Sequence, residues 1–324
     1  MRPVACVDIG GTKVAVSIAD ERGLNGQILE PTCKSGNNDA LAGQILRMID
    51  QSAAAAGILR SRIGQAGVSS CGPFVLNGGW VELAAPNICG GLAGPVRGLP
   101  NDWRSALLEA PLRQHFDRVR VENDGVSALE AERRWGALQI DGKAFDHCAY
   151  VTWSTGIGVG LCVDGHVLRG KNGNAGHAGH MFVSTNDVAL CGCGNVGDVE
   201  ALVAGNAIPR RFKGAGYADA GYADAAALFA AAKSGDDAAL AIADQLCDVM
   251  GRMLYNLIAT LDLQRISLGG SVYWHHRDFL LPRLCDFVAG KLPALTAACD
   301  IVSAGLGERV GDFAALALVT GQGA

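Results

Sequence analysis

One pattern occurs twice in this chain: two strand-like runs joined by a short glycine turn. The first copy spans Val4–Ala19 and has its turn at Gly10-Gly11-Thr12. The second copy spans Cys148–Val163 and has its turn at Ser154-Thr155-Gly156. Two β-rich runs separated by a glycine turn predict a hairpin, and helix-like segments follow both copies. A repeated unit of this kind predicts two related α/β lobes.

Hydrophobic spacing predicts the remaining elements. The predicted strands are Val4–Ile9, Val14–Ala19, Gln65–Ser70, Val119–Glu122, Cys148–Thr152, Ile157–Val163 and Arg265–Leu268. The predicted helices are Asp39–Gly57, Gly125–Trp135, Asp198–Phe212, Ala223–Lys233, Asp237–Leu261, His276–Ala289 and Asp312–Thr320. We expect an N-terminal lobe at residues 1–122, on which the C-terminal helix (about 305–324) packs, and a C-terminal lobe at residues 123–304.

The composition excludes several classes of protein. The 324-residue chain is 49% hydrophobic and 18% charged, so it can bury a sizeable core. No apolar run reaches the ~18 residues that a membrane-spanning helix needs, and the N-terminus is a poor secretion signal. A net charge of -5 gives no electrostatic reason to bind nucleic acid. Eleven scattered cysteines, an odd number, favour reduced thiols and a cytoplasmic protein.

The first glycine turn has the chemistry of a phosphate site. Gly10 and Gly11 allow backbone N–H groups to approach phosphate oxygens, while Thr12 and Lys13 add a hydroxyl and a cation. Asp8, at the end of the preceding strand, is suited to hold Mg²⁺ directly or through water. The turn matches neither the P-loop nor the Rossmann pattern. Taken alone, it is equally compatible with an ordinary hairpin turn.

Two further elements favour the phosphate interpretation. Thr155 and Gly156 lie in the second glycine turn, in the same context as the first. Gly269 and Gly270 follow the predicted strand Arg265–Leu268 and offer a flat backbone surface for adenine and ribose. Two glycine turns that face each other across a cleft can grip one triphosphate, so the three elements together predict an ATP site.

Asp124 is the predicted catalytic residue, because it lies where the strand Val119–Glu122 gives way to a helix. Phosphoryl transfer needs alignment, charge neutralisation and a group that accepts the proton of the attacking hydroxyl. A carboxylate at a strand end suits that last role. The alternative is a helix N-cap, a position where aspartate is common.

Together these segments resemble the ROK family of sugar kinases over nearly the full chain. The matching segments are Asp8–Lys13, Cys71-Gly72-Pro73, Ala85-Pro86-Asn87, Glu122-Asn123-Asp124, Ser154–Gly160, Ala175–His180 and Cys191–Glu200. The resemblance implies an α/β, two-lobed actin-like (ribonuclease H-like) ATPase fold with the active site in the interlobe cleft. It also implies an ATP:sugar phosphotransferase that uses Mg²⁺ and forms a homodimer or homotetramer.

The resemblance also implies roles for individual residues. Asp124 corresponds to the base for the attacking hydroxyl. The residues implied to contact sugar hydroxyls are Asn87, Asn123, His180 and Glu200. A structural zinc is implied as well, held in the family by one histidine and three cysteines. The corresponding positions here are His180, Cys191, Cys193 and Asp198.

Two positions depart from the family pattern. Position 198 is aspartate where the family has cysteine, and carboxylate is a harder zinc ligand than thiolate, so the zinc is either retained more weakly or lost. Position 177 is histidine, which resembles bacterial N-acetylmannosamine kinases, whereas most glucose-type members have glutamate there. Neutral histidine offers one donor and one acceptor, whereas glutamate only accepts. The change at His177 therefore either alters recognition near the anomeric end of the sugar or is neutral drift.

The predicted reaction is transfer of the ATP γ-phosphoryl to a hydroxyl, most simply O6, of a hexose or N-acylhexosamine. The histidine at position 177 favours an N-acylmannosamine. A glucokinase is the nearest alternative enzyme. A sugar-responsive regulator or a non-catalytic sugar-binding protein is the alternative from another class.

Overall fold

The protein is described here by a computed structural model that covers residues 2–93, 97–185, 188–209 and 222–320. The strands are β1 Val4–Ile9, β2 Lys13–Asp20, β3 Gly23–Pro31, β4 Gln65–Ser70, β5 Phe74–Asn77, β6 Trp80–Leu83, β7 Ala106–Leu107, β8 Arg118–Asn123, β9 Gln139–Ile140, β10 Lys143–Ala144, β11 Cys148–Trp153, β12 Ile157–Val163, β13 His166–Val167, β14 Arg265–Gly269 and β15 Asp300–Ser303. The helices are α1 Ala40–Ala55, α2 Gly90–Ala93, α3 Glu109–Arg113, α4 Asp124–Trp135, α5 Val199–Val203, α6 Ala225–Lys233, α7 Asp237–Leu261, α8 Ser271–Val288, α9 Pro293–Thr296 and α10 Val310–Thr320.

The chain divides into two compact units. Unit 1 comprises Met1–Ala131, Arg169–Ala175 and Arg309–Ala324, and unit 2 comprises Glu132–Leu168 and Gly176–Glu308. Asp124 lies in unit 1, because β8 pairs with β4 and continues directly into α4. The two units are defined by compactness. The expected boundary between two lobes after residue 122 stays a prediction.

Unit 1 is built on a five-stranded sheet in the order β3-β2-β1-β4-β8. β1, β4 and β8 run parallel to one another, while β2 and β3 complete an antiparallel edge. Side chains alternate between the two faces of β1, as strand geometry requires. Val7 packs into the core that contains Ile45 of α1, whereas Cys6 packs with Leu316 and Val319 of α10. Both faces of β1 are therefore covered, which explains its nearly continuous apolar sequence.

Unit 2 repeats this topology. Its sheet has the order β13-β12-β11-β14-β15, with β11, β14 and β15 parallel and β12 and β13 forming the antiparallel edge. The predicted duplication of a hairpin-plus-helices unit is confirmed. Trp153 is buried in the core, where its ring meets Phe229 of α6 edge-on with ring centroids 6.5 Å apart.

Two helix predictions are wrong in their bounds. The predicted helix Asp198–Phe212 is interrupted after Val203, because Ala204 adopts an extended conformation with ψ of 148°, and Ile208 and Pro209 are helical again. Two tertiary hydrogen bonds hold the chain there: Trp153 Nε1 donates to Val203 O, and Gly205 N–H donates to Ser154 O. The part of this prediction from residue 210 onward lies outside the described residues. The helix predicted from His276 begins earlier, at Ser271, and is kinked at His276.

Within the described ranges, the protein has no helix that combines the length and the apolar character needed to cross a lipid bilayer.

Candidate functional site

The carboxyl ends of three parallel strands bring the predicted residues of unit 1 together. In the register of the sheet, Ile9 of β1 pairs with Ser70 of β4, and Ser70 pairs with Asn123 of β8. The next residues along each strand are the first glycine turn, Cys71 and Asp124. Because parallel strands end at the same edge of a sheet, these groups are neighbours.

The first glycine turn is fixed by hydrogen bonds at both ends. Gly10 N–H donates to Lys13 O at 2.9 Å, which closes the turn itself. Thr32, immediately after β3, donates its N–H to Thr12 O at 3.1 Å and its hydroxyl to Gly10 O at 2.7 Å. Thr32 was not among the predicted residues, since only the pairing of β3 with β2 reveals its position. The turn is thus preorganised by the sheet.

Asn87 lies directly against this turn. A Cβ atom added to Gly11 would stand 2.0 Å from Asn87 Nδ2, so only glycine fits at position 11 while the amide keeps its place. Asn87 itself is exposed, in the tight turn that follows Ala85-Pro86. The structure therefore brings this predicted sugar-contacting residue to the predicted phosphate turn.

Asp8 is a half-buried carboxylate with an unusual charge environment. Burial is the main cause that raises the pKa of Asp8 from 3.8 to about 6, and the negative charge of Asp312 acts in the same direction. A hydrogen bond from Ser69 and the positive charge of Lys13 act in the opposite direction. A carboxylate whose charge is poorly solvated and lies near a second carboxylate favours a bound cation. Asp8 therefore fits the role of a Mg²⁺ ligand.

Replacing Asp8 with asparagine is expected to stabilise the ligand-free protein by about 1 kcal/mol at pH 8 and much less at pH 4. The folded-state pKa lies above the unfolded value, so burial of the charged form costs stability as the pH rises from about 4 through about 6. Urea unfolding of both proteins across this range measures the difference. Asp312→Asn is the matched control and should give a smaller gain of the same sign. A D8N protein less stable than wild type at pH 8 would contradict the conclusion that the buried charge of Asp8 costs stability.

Asp124 is the first residue of α4, but the helix cap is supplied by its neighbour. Asn123 Oδ1 accepts a hydrogen bond from Gly125 N–H at 3.0 Å, the two-residue spacing of an N-cap. Asp124 Oδ1 also accepts from this N–H, at 2.8 Å, across a single residue. The capping alternative for Asp124 is weakened, because Asn123 already provides the usual cap contact.

Cys71 lies near both Asp8 and Asp124, because the charges of both carboxylates affect the pKa of its thiol. Burial raises the pKa of the Cys71 thiol to about 12, and the negative charges of Asp124 and then Asp8 contribute in the same direction. The thiol therefore stays protonated at neutral pH and is not a nucleophile there. Its position beside both carboxylates was not foreseen from the sequence.

In unit 2, the second glycine turn lies beside the Gly-Gly pair. Thr152 of β11 pairs with Gly269 of β14, so Thr155-Gly156 and Gly269-Gly270 follow neighbouring strand ends. The hydroxyls of Ser154 and Ser271 lie 3.1 Å apart and link the two segments. The structure therefore brings together the predicted phosphate and adenosine elements of this unit.

Glu200, in the first turn of α5, contacts the second glycine turn. Ile157 N–H donates to Glu200 Oε2 at 2.9 Å. A Cβ atom added to Gly156 would stand 2.8 Å from the same oxygen. A residue predicted to bind sugar is thus part of the wall of a predicted phosphate site.

The four predicted zinc ligands converge in unit 2. One ligand atom from each of His180, Cys191, Cys193 and Asp198 lies within 4.8 Å of all the others. Asp198 Oδ2 is 3.1 Å from His180 Nδ1 and 3.5 Å from Cys193 Sγ, and Cys191 Sγ is 3.7 Å from His180 Nδ1. Tetrahedral zinc with bonds of about 2.0–2.3 Å places its ligand atoms about 3.3–3.8 Å apart. The donor set therefore fits zinc, and these three separations lie close to the tetrahedral spacing.

Asp198 has a second role that cysteine lacks. Its Oδ1 accepts a hydrogen bond from Ala201 N–H at 2.8 Å and caps α5, while Oδ2 faces the cluster. Asp198 is fully buried. One carboxylate thus joins the ligand cluster to the helix that carries Glu200.

His177 lies next to this cluster. Its ring centroid is 6.1 Å from that of His180, and His180 N–H donates to His177 O at 3.0 Å. Both histidines are half-buried in the segment that turns between β13 and α5. The structure therefore places His177, His180 and Glu200 in one region of unit 2.

Comparison with known proteins shows which family this chain is similar to. The ROK family model matches residues 4–322. A glucokinase of Aeropyrum pernix is 29% identical, with 98% of this chain and 97% of the relative aligned. An N-acetylmannosamine kinase of Salmonella newport is 32% identical over 82% of each chain. The crystal structure of a ROK family glucokinase from Streptomyces griseus, in complex with glucose and AMPPNP, is 25% identical over 97% of each chain with a TM-score of 0.70.

These likenesses confirm the actin-like ATPase fold that the resemblance to the ROK family implied. Because the family model spans nearly the whole chain, the protein belongs to the ROK family.

Proposed function

We propose that the protein is an ATP-dependent sugar kinase. The observation that carries this proposal is the common edge of β1, β4 and β8, where the first glycine turn, Asp8 and Asp124 are neighbours. Phosphoryl transfer needs a phosphate cradle, a cation ligand and a base in one place. The kinase relatives support the same reaction class.

In the proposed reaction, Asp124 accepts the proton of the attacking sugar hydroxyl. That oxygen forms a bond to the γ-phosphorus while the bond from this phosphorus to the bridging oxygen of ADP breaks. Backbone N–H groups of the turn at Gly10–Thr12 and of Thr155-Gly156 stabilise the negative charge on the phosphate oxygens. Mg²⁺, when bound at Asp8, would neutralise phosphate charge.

Asn87 and Asn123 of unit 1, and His180 and Glu200 of unit 2, are the proposed contacts to sugar hydroxyls. His180 belongs to the zinc-ligand cluster, and Glu200 Oε1 lies 3.8 Å from Cys191 Sγ of the same cluster. Asn87 lies against Gly11 of the first glycine turn.

We infer that the preferred substrate is an N-acylmannosamine, with glucose as the second candidate. The support is His177 beside His180, since its neutral ring offers both a donor and an acceptor where glutamate offers only acceptors. An ADP-coupled assay over glucose, mannose, fructose, N-acetylglucosamine and N-acetylmannosamine tests this. A clear preference for glucose would contradict the N-acylmannosamine proposal and leave the kinase proposal intact. Failure to phosphorylate any of them would contradict both.

We further propose that the four-residue cluster binds zinc, which would fix the segment that carries Glu200. The purified protein is expected to contain about one equivalent of zinc, and chelation is expected to lower its melting temperature. The variant D198N should bind less zinc yet keep the α5 cap, since asparagine also caps helices. Its melting temperature should therefore respond little to chelation. Zinc-free wild-type protein with an unchanged melting temperature after zinc addition would contradict the proposal.

A further inference from the structure

Helix α5 and the second glycine turn are joined at three points within unit 2. Ile157 N–H donates to the carboxylate of Glu200, and Trp153 Nε1 donates to Val203 O at 2.7 Å. Gly205 N–H donates to Ser154 O at 2.8 Å. These bonds connect the start, the middle and the end of segment 200–205 to residues 153–157. The two segments are therefore tied to each other at three points.

Two of these bonds use a side chain: Trp153 is buried, whereas Glu200 is partly exposed and can be reached by a ligand. Its Oε2 accepts from Ile157 N–H, and its Oε1 is 3.8 Å from the thiol of Cys191. An ionised carboxylate has about four acceptor sites, so one Glu200 can hold Ile157 N–H and a sugar hydroxyl at once. The same carboxylate then touches the proposed sugar and the proposed phosphate turn.

We propose that Glu200 is a positioning residue that couples sugar binding to nucleotide binding through the second glycine turn. This proposal rests on the proposed kinase function and adds a mechanism to it. A sugar hydroxyl bound to Glu200 restrains the carboxylate, and the carboxylate in turn holds Ile157 N–H and the shape of the turn. The turn is then already ordered when ATP arrives, so the ordering cost of nucleotide binding falls.

Thermodynamic linkage makes the effect reciprocal. If bound sugar raises the affinity for nucleotide, bound nucleotide raises the affinity for sugar by the same factor. Couplings of this kind are typically about 5–150-fold. We expect wild-type protein to bind N-acetylmannosamine or glucose at least fivefold more tightly in the presence of AMPPNP.

The variant Gly156→Ala tests the coupling from the phosphate side. The new Cβ would stand 2.8 Å from Glu200 Oε2, and the tip of this flexible side chain is the part that must shift. The fold should therefore be retained, while Glu200 moves away from Ile157. The displaced carboxylate would also lose its proposed charge-assisted hydrogen bond to the sugar hydroxyl. We therefore expect sugar affinity measured without nucleotide to fall about tenfold. Gly43→Ala is the control, because Gly43 has open space around its Cβ position.

The variant Glu200→Asp tests the coupling from the sugar side. It keeps the charge but withdraws the carboxylate by one methylene from Ile157 N–H. We expect AMPPNP affinity measured without sugar to fall about three- to tenfold, although residue 200 lies outside the glycine turn. Glu21→Asp, at an exposed position in unit 1, is the matched control. Calorimetric titration of each ligand, alone and in the presence of the other, gives all four affinities.

The outcomes separate the coupling from the kinase function. Reduced coupling in both variants, with unchanged coupling in both controls, supports the proposal. If G156A binds sugar like wild type, or if E200D loses only sugar affinity, Glu200 is a sugar ligand without a coupling role and the proposal fails. In either of those cases phosphorylation by the wild type keeps the kinase function. Wild-type protein that binds neither sugar nor AMPPNP would overturn both proposals.

Discussion

Replacing Asp124 with asparagine is expected to lower kcat by about 10²–10⁴-fold. Asparagine keeps the size and the hydrogen-bonding shape of the side chain but cannot accept a proton at neutral pH. The carboxylate stands at the end of β8 in the neighbourhood of Asp8, where the proposed acceptor hydroxyl and phosphate meet. Because the change removes the proton acceptor but keeps the volume of the side chain, the affinities for sugar and AMPPNP should stay within about threefold of wild type.

Two comparisons make this prediction specific. Asp50→Asn, an exposed aspartate of α1, controls for the loss of one negative charge and should leave kcat near wild type. Asp124→Ala tests the capping alternative, since loss of a cap costs about 1 kcal/mol of stability. Because Asn123 supplies the cap contact, we expect D124A to be nearly as stable as wild type. Near-normal turnover by D124N would remove Asp124 from the proposed mechanism.

The local sequence is sufficient to predict much of this fold. β4, β12 and α7 have the predicted bounds, because alternating or helical spacing of apolar residues coincides with real burial in these segments. The second glycine turn repeats the first because β11 and β12 repeat the pairing of β1 and β2. Helix α5 shows where local reasoning ends: its helical spacing continues beyond Val203, but hydrogen bonds to Trp153 and Ser154 end it.

The same distinction applies to the site. Glycines, acids and ligand-type residues are visible in the sequence, so Asp8, Asp124 and the cysteine loop are found there. Thr32 and Ser69 are ordinary polar residues whose roles arise only when β3 and β4 pair with their neighbours. The contact between Glu200 and Ile157 N–H joins positions far apart in the sequence, and no local pattern indicates it.

Replacing Glu132 with alanine is expected to destabilise the protein by about 3–5 kcal/mol. Glu132 is fully buried in unit 2, at the end of α4. Its Oε2 accepts from Ala137 N–H at 2.7 Å, Gly305 N–H at 2.9 Å and the Ser267 hydroxyl at 3.1 Å, and its Oε1 accepts from Leu306 N–H at 2.9 Å. Alanine would leave these donors buried without an acceptor, each at a cost of about 1–3 kcal/mol unless water enters.

Equilibrium unfolding in guanidinium chloride measures this loss, and two variants frame it. Glu308→Ala, at an exposed position in the same unit, should change stability by less than about 0.5 kcal/mol. Glu132→Gln keeps one acceptor oxygen but turns a donor toward N–H groups, so it should lose an intermediate amount. Because the Glu132 carboxylate joins Ala137, shortly after the end of α4, to β14 and to residues 305–306, its loss should release these segments together, as one cooperative step. An E132A protein as stable as E308A would show that water replaces the carboxylate without cost, and it would overturn this account of how unit 2 is held together.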